Sequence, residues 1–334
     1  MDFDLWFKRI LYFIVLPVVS ISFIITSMTN DLRIYLGVEN IATHYFPFPQ
    51  GVDLAWEIKP IMNRLINYIF YNIATSFVPL EDHFWFGVAV KSMALVIIAL
   101  IAWYFSRQIN IPYTFAIVFM TLTTCANFFI MQAEYWSVAF SFFCIALLVK
   151  KTPLRFFVAG CLIPVITLFK GISGLMLIPI LCAVFLLDDK PFEGIWQYVR
   201  SYKWFIAGFF AASTIFLIAQ FTIWTHIISD AIMSPYLANA GLLTADCAIV
   251  RFIMQFVLLP LYFPIMVIGI TFGFYYIVRL KYLNDRYSTI AYILMWVVPI
   301  LILIPQGEYF MYQFEPFGIP AVITLILSER CLLQ

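Results

Sequence analysis

The sequence predicts an all-α, polytopic integral membrane protein with about ten transmembrane helices. Of its 334 residues, 64% are hydrophobic and 11% are charged, whereas ordinary globular domains are about 45–50% apolar and about 25% charged. This composition excludes a soluble globular protein, a disordered chain and a disulfide-rich secreted module. The apolar runs are continuous rather than alternating, which favours helices over the strands of a membrane barrel.

The apolar runs define the predicted spans, because a helix needs about 20 residues to cross about 30 Å of hydrocarbon. The spans are residues 10–27, 85–105, 113–130, 137–149, 156–169, 173–187, 204–223, 257–278, 290–304 and 317–327. The fifth and sixth runs are short, and one long kinked helix is the alternative for this pair. That alternative would reverse the orientation of every later span.

The distribution of basic residues favours ten spans with both termini in the cytoplasm, in the plasma (inner) membrane. With this topology, thirteen of the 19 basic residues face the cytoplasm. These are Lys8, Arg9, Arg107, Lys150, Lys151, Arg155, Lys190, Arg200, Lys203, Arg279, Lys281, Arg286 and Arg330. A single helix over residues 156–187 would move the last seven of them outside. The first span lacks a small-residue cleavage site, so it is not predicted to be a removable signal peptide.

Two long outer loops, residues 28–84 and 224–251, interrupt what is otherwise a single transmembrane domain over residues 1–334. Within the first loop, apolar residues recur at helical spacing with polar residues between them, which predicts an amphipathic helix at the membrane interface. The apolar residues are Ile61, Leu65, Ile66, Ile69 and Phe70. No internal repeat of the kind that transporters carry is visible in the sequence.

Charge and cysteine content restrict the partners. The formal net charge is +1, so the chain lacks the excess of basic residues that is typical of nucleic-acid-binding proteins. Membrane lipid is the expected surrounding of the chain. The spacing of the six cysteines in the sequence is not that of metal ligands, so we interpret them as small hydrophobic residues. The oligomeric state is left open.

Ionisable residues gather in five segments on the predicted outer side. They are residues 30–35, 56–60, 132–136, 169–179 and 308–316. Ionisable groups at the depth of the membrane are energetically costly and are therefore functional candidates. Carboxylates together with Lys59 and Lys170 on one side suit a site that binds an anionic head group and moves a proton.

The first two of these segments resemble a known family. Asp31, shortly after the first span and followed by Tyr35, resembles the acidic motif of GT-C membrane glycosyltransferases. The stretch 57–60, Glu-Ile-Lys-Pro, is similar to the E-x-K-P-P stretch of the bacterial branch that includes aminoarabinose transferases and protein O-mannosyltransferases. The chain departs from this branch at Ile61, where the second proline would stand.

Two later segments continue the resemblance. Lys170-Gly171 leading to Pro179 is similar to the K-G…P stretch of the same branch. Tyr312 and Pro316 resemble its tyrosine- and proline-rich approach to a late helix. The branch's C-terminal soluble domain is not expected in this sequence.

The resemblance implies a GT-C-like fold and an inverting transfer of a hexose or pentose from a polyprenyl-phosphate donor at the outer face of the membrane. The acceptor would be a lipid, a glycan or a protein. The resemblance implies Asp31 and Glu57 as the catalytic candidates, because one carboxylate must take the acceptor's proton while the phosphate departs from the opposite face. Candidates for binding the substrate or the lipid phosphate are Lys59, Lys170, Arg251, Tyr35, Glu134 and Tyr312.

Simpler roles remain open for the same residues. Asp31 also fits a helix N-cap, Lys59 also fits a lysine that reaches to the interface, and Glu134 also fits a partner for a neighbouring charge. The sequence leaves the cofactor unknown, and one alternative is a divalent ion held by His44 or His226 with Glu57.

Three other functional classes compete with the transferase. A transporter or flippase for a lipid-linked intermediate should carry charges in the middle of its spans and show paired halves. A polysaccharide polymerase or ligase should have outer loops richer in arginine than Arg33, Arg64 and Arg251 provide. A purely structural subunit leaves the outer carboxylates and lysines unexplained.

Overall fold

The computed structural model describes residues 3–25, 61–79, 82–129, 133–188, 195–222, 264–279, 286–303 and 311–333, and the single residues 253 and 257. Every element in these residues is a helix. The α-helices are α1 (Phe3–Ile10), α2 (Leu16–Ile25), α3 (Ile61–Thr75), α4 (His83–Ile109), α5 (Thr114–Phe129), α6 (Ala133–Leu148), α7 (Pro153–Phe169), α8 (Leu177–Leu187), α9 (Ile195–Thr222), α10 (Pro264–Arg279), α11 (Arg286–Leu303) and α12 (Gly318–Leu333). The predicted all-α class is confirmed for this part of the chain.

Three shorter helical turns connect these elements. They are π1 (Leu11–Val15), which joins α1 to α2, and the 3-10 helices η1 (Gly171–Met176) and η2 (Met311–Phe317), which precede α8 and α12. In π1 the Leu16 N–H bonds to the Leu11 carbonyl, five residues earlier. Pro17 follows directly and has no N–H, so the regular bonding pattern cannot continue through this point.

Four described stretches of helix are long and apolar enough to cross a membrane, which indicates a membrane protein. They are Asp4–Ile25, Phe84–Ile109, Tyr202–Ala219 and Arg286–Leu303, and each coincides with a predicted span. The other predicted spans fall on shorter helices. The total of ten spans therefore stays a prediction.

Helix α6 is the centre of the bundle, because nearly all of its side chains are buried. It packs against α4, α7, α8 and η2. The outer helices instead expose large apolar side chains, among them Phe13, Phe210, Phe221 and Phe274. Helices that are apolar on their outward faces suit contact with lipid.

Helices α7 and α9 approach so closely that only glycine fits between them. A Cβ atom at Gly160 would collide with the backbone carbonyl of Phe205, and one at Gly208 would collide with that of Phe157. The Cys161 thiol lies 3.3 Å from the Gly208 carbonyl oxygen. Small residues at such contacts let helix backbones come into van der Waals contact, which is how helices associate within lipid.

One end of the bundle, which we call the basic end, is joined by contacts between helix termini. The Tyr113 hydroxyl before α5 donates to the Asp4 carboxylate in α1. Asp4 also pairs with Lys8 at 2.6 Å. Arg155 in the first turn of α7 donates to the Gln108 side chain near the end of α4, at 2.6 Å. The N-terminus of α1, the α4–α5 connection and the start of α7 therefore share this end.

The ends of α8 and α12 lie at the basic end as well. Lys151, just before α7, pairs with Asp188, just after α8, at 2.8 Å. Arg330 near the end of α12 donates to the Leu187 carbonyl at 3.3 Å. Because the end of α8 returns to the start of α7, residues 153–187 form two antiparallel segments. The alternative of one long kinked helix is wrong.

The opposite end of the bundle holds the starts of α4 and α6 and the predicted amphipathic segment. That segment is helical, as predicted, and forms α3. Its Phe70 ring contacts Trp136 in the first turn of α6, with ring centres 5.6 Å apart. Its Tyr71 ring contacts Phe86 in the first turn of α4 at 6.0 Å. Helix α3 therefore packs across this end.

Candidate functional site

Lys170 occupies the break between α7 and η1, at the opposite end from the basic end. It is a single extended residue, with φ −161° and ψ 127°, that ends α7 and precedes the first turn of η1. The Ser173 N–H bonds back to the Lys170 carbonyl at 2.8 Å. The side chain is only 14% exposed, so the fold carries an ammonium group into the bundle.

Glu134 is the partner of Lys170. It lies in the first turn of α6, its side chain is 1% exposed, and its Oε1 atom accepts a short hydrogen bond from the Lys170 ammonium. The first turn of a helix suits a carboxylate because the backbone N–H groups there carry partial positive charge. Removing one partner of such a buried pair leaves an uncompensated charge, which typically costs about 3–5 kcal/mol.

Glu315 is a second buried carboxylate beside this pair. It lies in η2 and is 1% exposed, and neither of its carboxylate oxygens has a hydrogen-bond partner among the described residues. Burial, and then the negative charge of Glu134, raise its pKa well above the usual value, and Lys170 opposes this only in part. Burial and the neighbouring carboxylate therefore both favour the neutral, protonated form of Glu315.

Two serines connect the segments that carry Glu134 and Lys170. The Ser137 hydroxyl donates to the Glu134 carbonyl at 2.7 Å, and the Ser173 hydroxyl donates to the Ser137 hydroxyl at 3.3 Å. Both serines are buried. The pair is thus fixed by the backbone of α6 and η1 as well as by its own charges.

Aromatic rings form the apolar surroundings. Phe140 in α6 stacks on Phe169, the last residue of α7, with ring centres 5.6 Å apart. Trp136 is fully buried, and its indole N–H has no acceptor among the described residues. The charges therefore lie in a setting of low polarity, where electrostatic interactions are stronger than in water.

A second buried lysine, Lys91, lies in α4 and was not among the candidates from the sequence. It is 1% exposed, and its ammonium lies 5.5 Å from the centre of the Phe23 ring in α2. It stands eight residues after His83, about 12 Å along the helix from its start at the opposite end. The sequence does not predict this burial, because an apolar run that contains a single lysine does not show whether that side chain faces the interior of the bundle.

The structure brings two of the predicted site residues, Glu134 and Lys170, into direct contact. The backbone of a third, Tyr312, lies in η2 with Glu315. Glu315 was missed as a candidate although its segment was singled out, and the signal was a carboxylate two residues before a predicted span. The remaining candidates lie outside the described residues, and they are Asp31, Tyr35, Glu57, Lys59 and Arg251.

No metal centre is formed by the described residues, since they contain no group of three His, Cys, Asp or Glu side chains that could hold an ion. His44, His226 and Glu57, for which a divalent ion was left open, lie outside them. Among the described cysteines, Cys144, Cys161 and Cys182 are free thiols.

The chain was compared with protein-family models, with curated proteins and with solved structures, and none of them matches.

Proposed function

We propose that this protein transfers a sugar from a polyprenyl-phosphate donor to an acceptor on the outer face of the membrane, with inversion. The observation that supports it most is the meeting of Glu134, Lys170 and Glu315. These residues come from three segments far apart in the sequence. All three segments were assigned to the outer side from the charge pattern, and all three lie at the end opposite the basic end.

The phosphate of the donor would be bound by lysine. Lys170 is the described cation of the cluster, and its flexible stem lets the ammonium turn from Glu134 to a phosphate oxygen. Lys59 and Arg251 are the further cations that the sequence places on this side. Cations at this position stabilise the negative charge that develops on the departing lipid phosphate.

The proton of the acceptor hydroxyl would be taken by a carboxylate. Asp31 is the proposed base and Glu57 its rival, because both follow the first span on the same predicted side. Glu315 in its protonated form cannot accept this proton, and Glu134 is engaged with Lys170. The two carboxylates of the cluster therefore do not suit the role of base.

The lipid tail of the donor needs an apolar surface beside the charged cluster. Helix α3 offers one, since Ile69, Ile73 and the adjacent Phe77 are exposed while Phe70 on the same helix packs against Trp136 of α6. An apolar chain lying along such a surface keeps its phosphate at the membrane interface.

A transporter or flippase for a lipid-linked saccharide is the second candidate. The observation that favours it is that η1 and η2, both short irregular turns, carry or adjoin the buried charges, as in the broken helices of transporters. The position of the cluster at one end of the helices, rather than halfway along them, favours the transferase. A polymerase or ligase acting on the same class of lipid would be distinguished from the transferase and from the transporter by the product that it forms.

Mass spectrometry of lipid extracts tests the proposal. Cells that lack the protein should accumulate a polyprenyl-phosphate sugar, and the wild-type chain should remove it. Lys170→Ala should fail to remove it because the phosphate loses its cation. Lys151→Ala is the matched control, since Lys151 also pairs with a carboxylate but at the basic end, and it should act like wild type. Unchanged lipids in cells without the protein would refute the transferase.

A further inference from the structure

The Glu134–Lys170–Glu315 cluster contains one more carboxylate than it has ammonium groups. With both carboxylates ionised, its net charge would be −1 inside a setting of low polarity. A phosphate is itself negative, so a cluster in that state would repel the ligand that Lys170 is proposed to bind. Among the described residues of the cluster, charge balance around the phosphate therefore needs a positive charge beyond the one on Lys170.

We propose that this cluster exchanges protons with solvent as it binds a phosphate diester. At rest Glu315 carries a proton and Glu134 is ionised against Lys170, and a second proton is taken up when Lys170 turns to the ligand. This inference rests on the proposed function, because it concerns the same ligand, and it adds that binding of the donor is coupled to pH.

The resting state follows from burial and from the neighbouring charges. Glu315 is 1% exposed with both oxygens unpartnered among the described residues. The described charges that act on it are Glu134 on α6 and Lys170 before η1. Helices α5, α11 and α12 also pack against η2. The last turn of α11 and the first turn of α12 carry apolar side chains only, and the one titratable residue of α5 is Cys125. An isolated ionised carboxylate in such a place is unstable, so it binds a proton.

The second proton follows from what phosphate binding does to Glu134. Glu134 is 1% exposed and is kept ionised by the Lys170 ammonium. When that ammonium turns to a phosphate oxygen, Glu134 becomes a buried carboxylate with a nearby anion. A proton from solvent then binds to its carboxylate oxygen. The cluster gains one positive charge and the ligand brings one negative charge, so the total charge inside the protein is unchanged.

The test measures affinity against pH with a ligand whose own charge is constant. Farnesyl methyl phosphate, a diester, keeps one negative charge from about pH 5.5 to about pH 8.5, whereas a phosphate monoester titrates in this range. The measurement uses the full-length, detergent-solubilised protein. If binding takes up one proton, the dissociation constant for the diester rises about tenfold per pH unit between about pH 6 and about pH 8. Calorimetry in two buffers of different ionisation enthalpy counts the proton directly on the wild-type chain.

Three variants separate this coupling from a simple loss of binding. Glu134→Gln and Glu315→Gln should each keep the pH dependence, because either remaining carboxylate can pair with Lys170 and then take the proton. The double variant should bind equally well at every pH and more tightly than wild type at pH 8. Lys170→Gln should bind weakly throughout. Circular dichroism confirms that each variant is folded, and the calorimetric count does not depend on the variants.

The outcomes distinguish the two proposals. Wild-type affinity that does not change with pH, but that is lost in Lys170→Gln, overturns the proton exchange and leaves the proposed function standing. Absence of any binding to the diester overturns both. Binding that disappears with a chelator and returns with a divalent cation shows that the carboxylates hold a metal ion, which also overturns the proton exchange.

Discussion

Among single residues, Asp31 has the most specific role to test. We expect Asp31→Asn to lower turnover by about 10²–10⁴-fold, because the amide keeps the shape of the side chain and much of any helix capping but cannot accept a proton. Folding and donor binding should stay near the wild-type values. Turnover of a polyprenyl-phosphate sugar by the purified protein measures the rate, and thermal unfolding checks the fold.

Glu57→Gln is the comparison, because Glu57 is the rival base on the same predicted loop. It should retain most of the activity. If it abolishes activity while Asp31→Asn retains it, the two roles are exchanged. If both variants remain active, neither carboxylate is the base.

The sequence predicted individual residues of the buried cluster. It did not predict which of these residues contact one another. Glu134 and Lys170 were both candidates because each is an ionisable residue at the end of an apolar run. Their pairing depends on how α6 packs against α7 and η1, which no local pattern contains. Glu315 stood in a segment that was singled out, yet its burial comes from the surrounding helices.

Among the helices, the close contact of α7 with α9 gives the clearest prediction. Gly208→Leu should lower the thermal stability of the detergent-solubilised protein, because its side chain would collide with the Phe157 backbone. Overpacking typically costs about 1–3 kcal/mol, and backbone atoms cannot move aside as side chains do. Ala207→Leu is the control: Ala207 is the exposed neighbour on the same helix, so its unfolding midpoint should stay near wild type. Equal losses in both variants would contradict the close contact.

Helix positions followed from the apolar runs, whereas helix ends did not. Helix α6 begins at Ala133, four residues before the predicted span, and so takes Glu134, Tyr135 and Trp136 into its first turn. Helix α9 begins at Ile195, nine residues before its predicted span. Hydropathy measures where lipid can cover a helix. It does not detect the polar turns by which a helix extends beyond the apolar layer.

At the scale of the whole molecule, the orientation can be tested by labelling. A single cysteine placed near Asp53 should react with an impermeant thiol reagent added outside intact cells, and one placed near Lys151 should react only after the membrane is opened. The expectation rests on the positive-inside distribution of lysine and arginine. The opposite pattern would reverse the orientation and move the candidate site to the inner face.

The electrostatic interaction between charges of the first and last helices should make stability depend on pH. Glu329 lies beyond the predicted span 317–327, and burial together with the charge of Asp4, opposed by Lys8, raises its pKa to about 7. A carboxyl group with a raised pKa favours folding while it is protonated. Its contribution is full below the unfolded pKa of about 4.5 and is lost as the pH rises through about 7.

Glu329→Gln should remove this dependence. Its unfolding midpoint should equal that of wild type near pH 4.5 and exceed it at pH 8, since glutamine stays neutral throughout. Other titrating groups are the same in both proteins, so the difference isolates Glu329. A difference that does not change with pH would mean that Glu329 does not titrate differently in the folded chain.

The contacts that close the basic end impose a parity rule on the path of the chain. A path that leaves one face of a layer and returns to it makes an even number of passages. The intervals 4–108, 113–151, 155–187 and 188–330 each begin and end at this face. In the proposed membrane topology the total number of passages is therefore even, and a topology with one passage fewer would put the two partners of one of these contacts on opposite sides. A shortened or extended version of this bundle that keeps these contacts would gain or lose passages only in pairs.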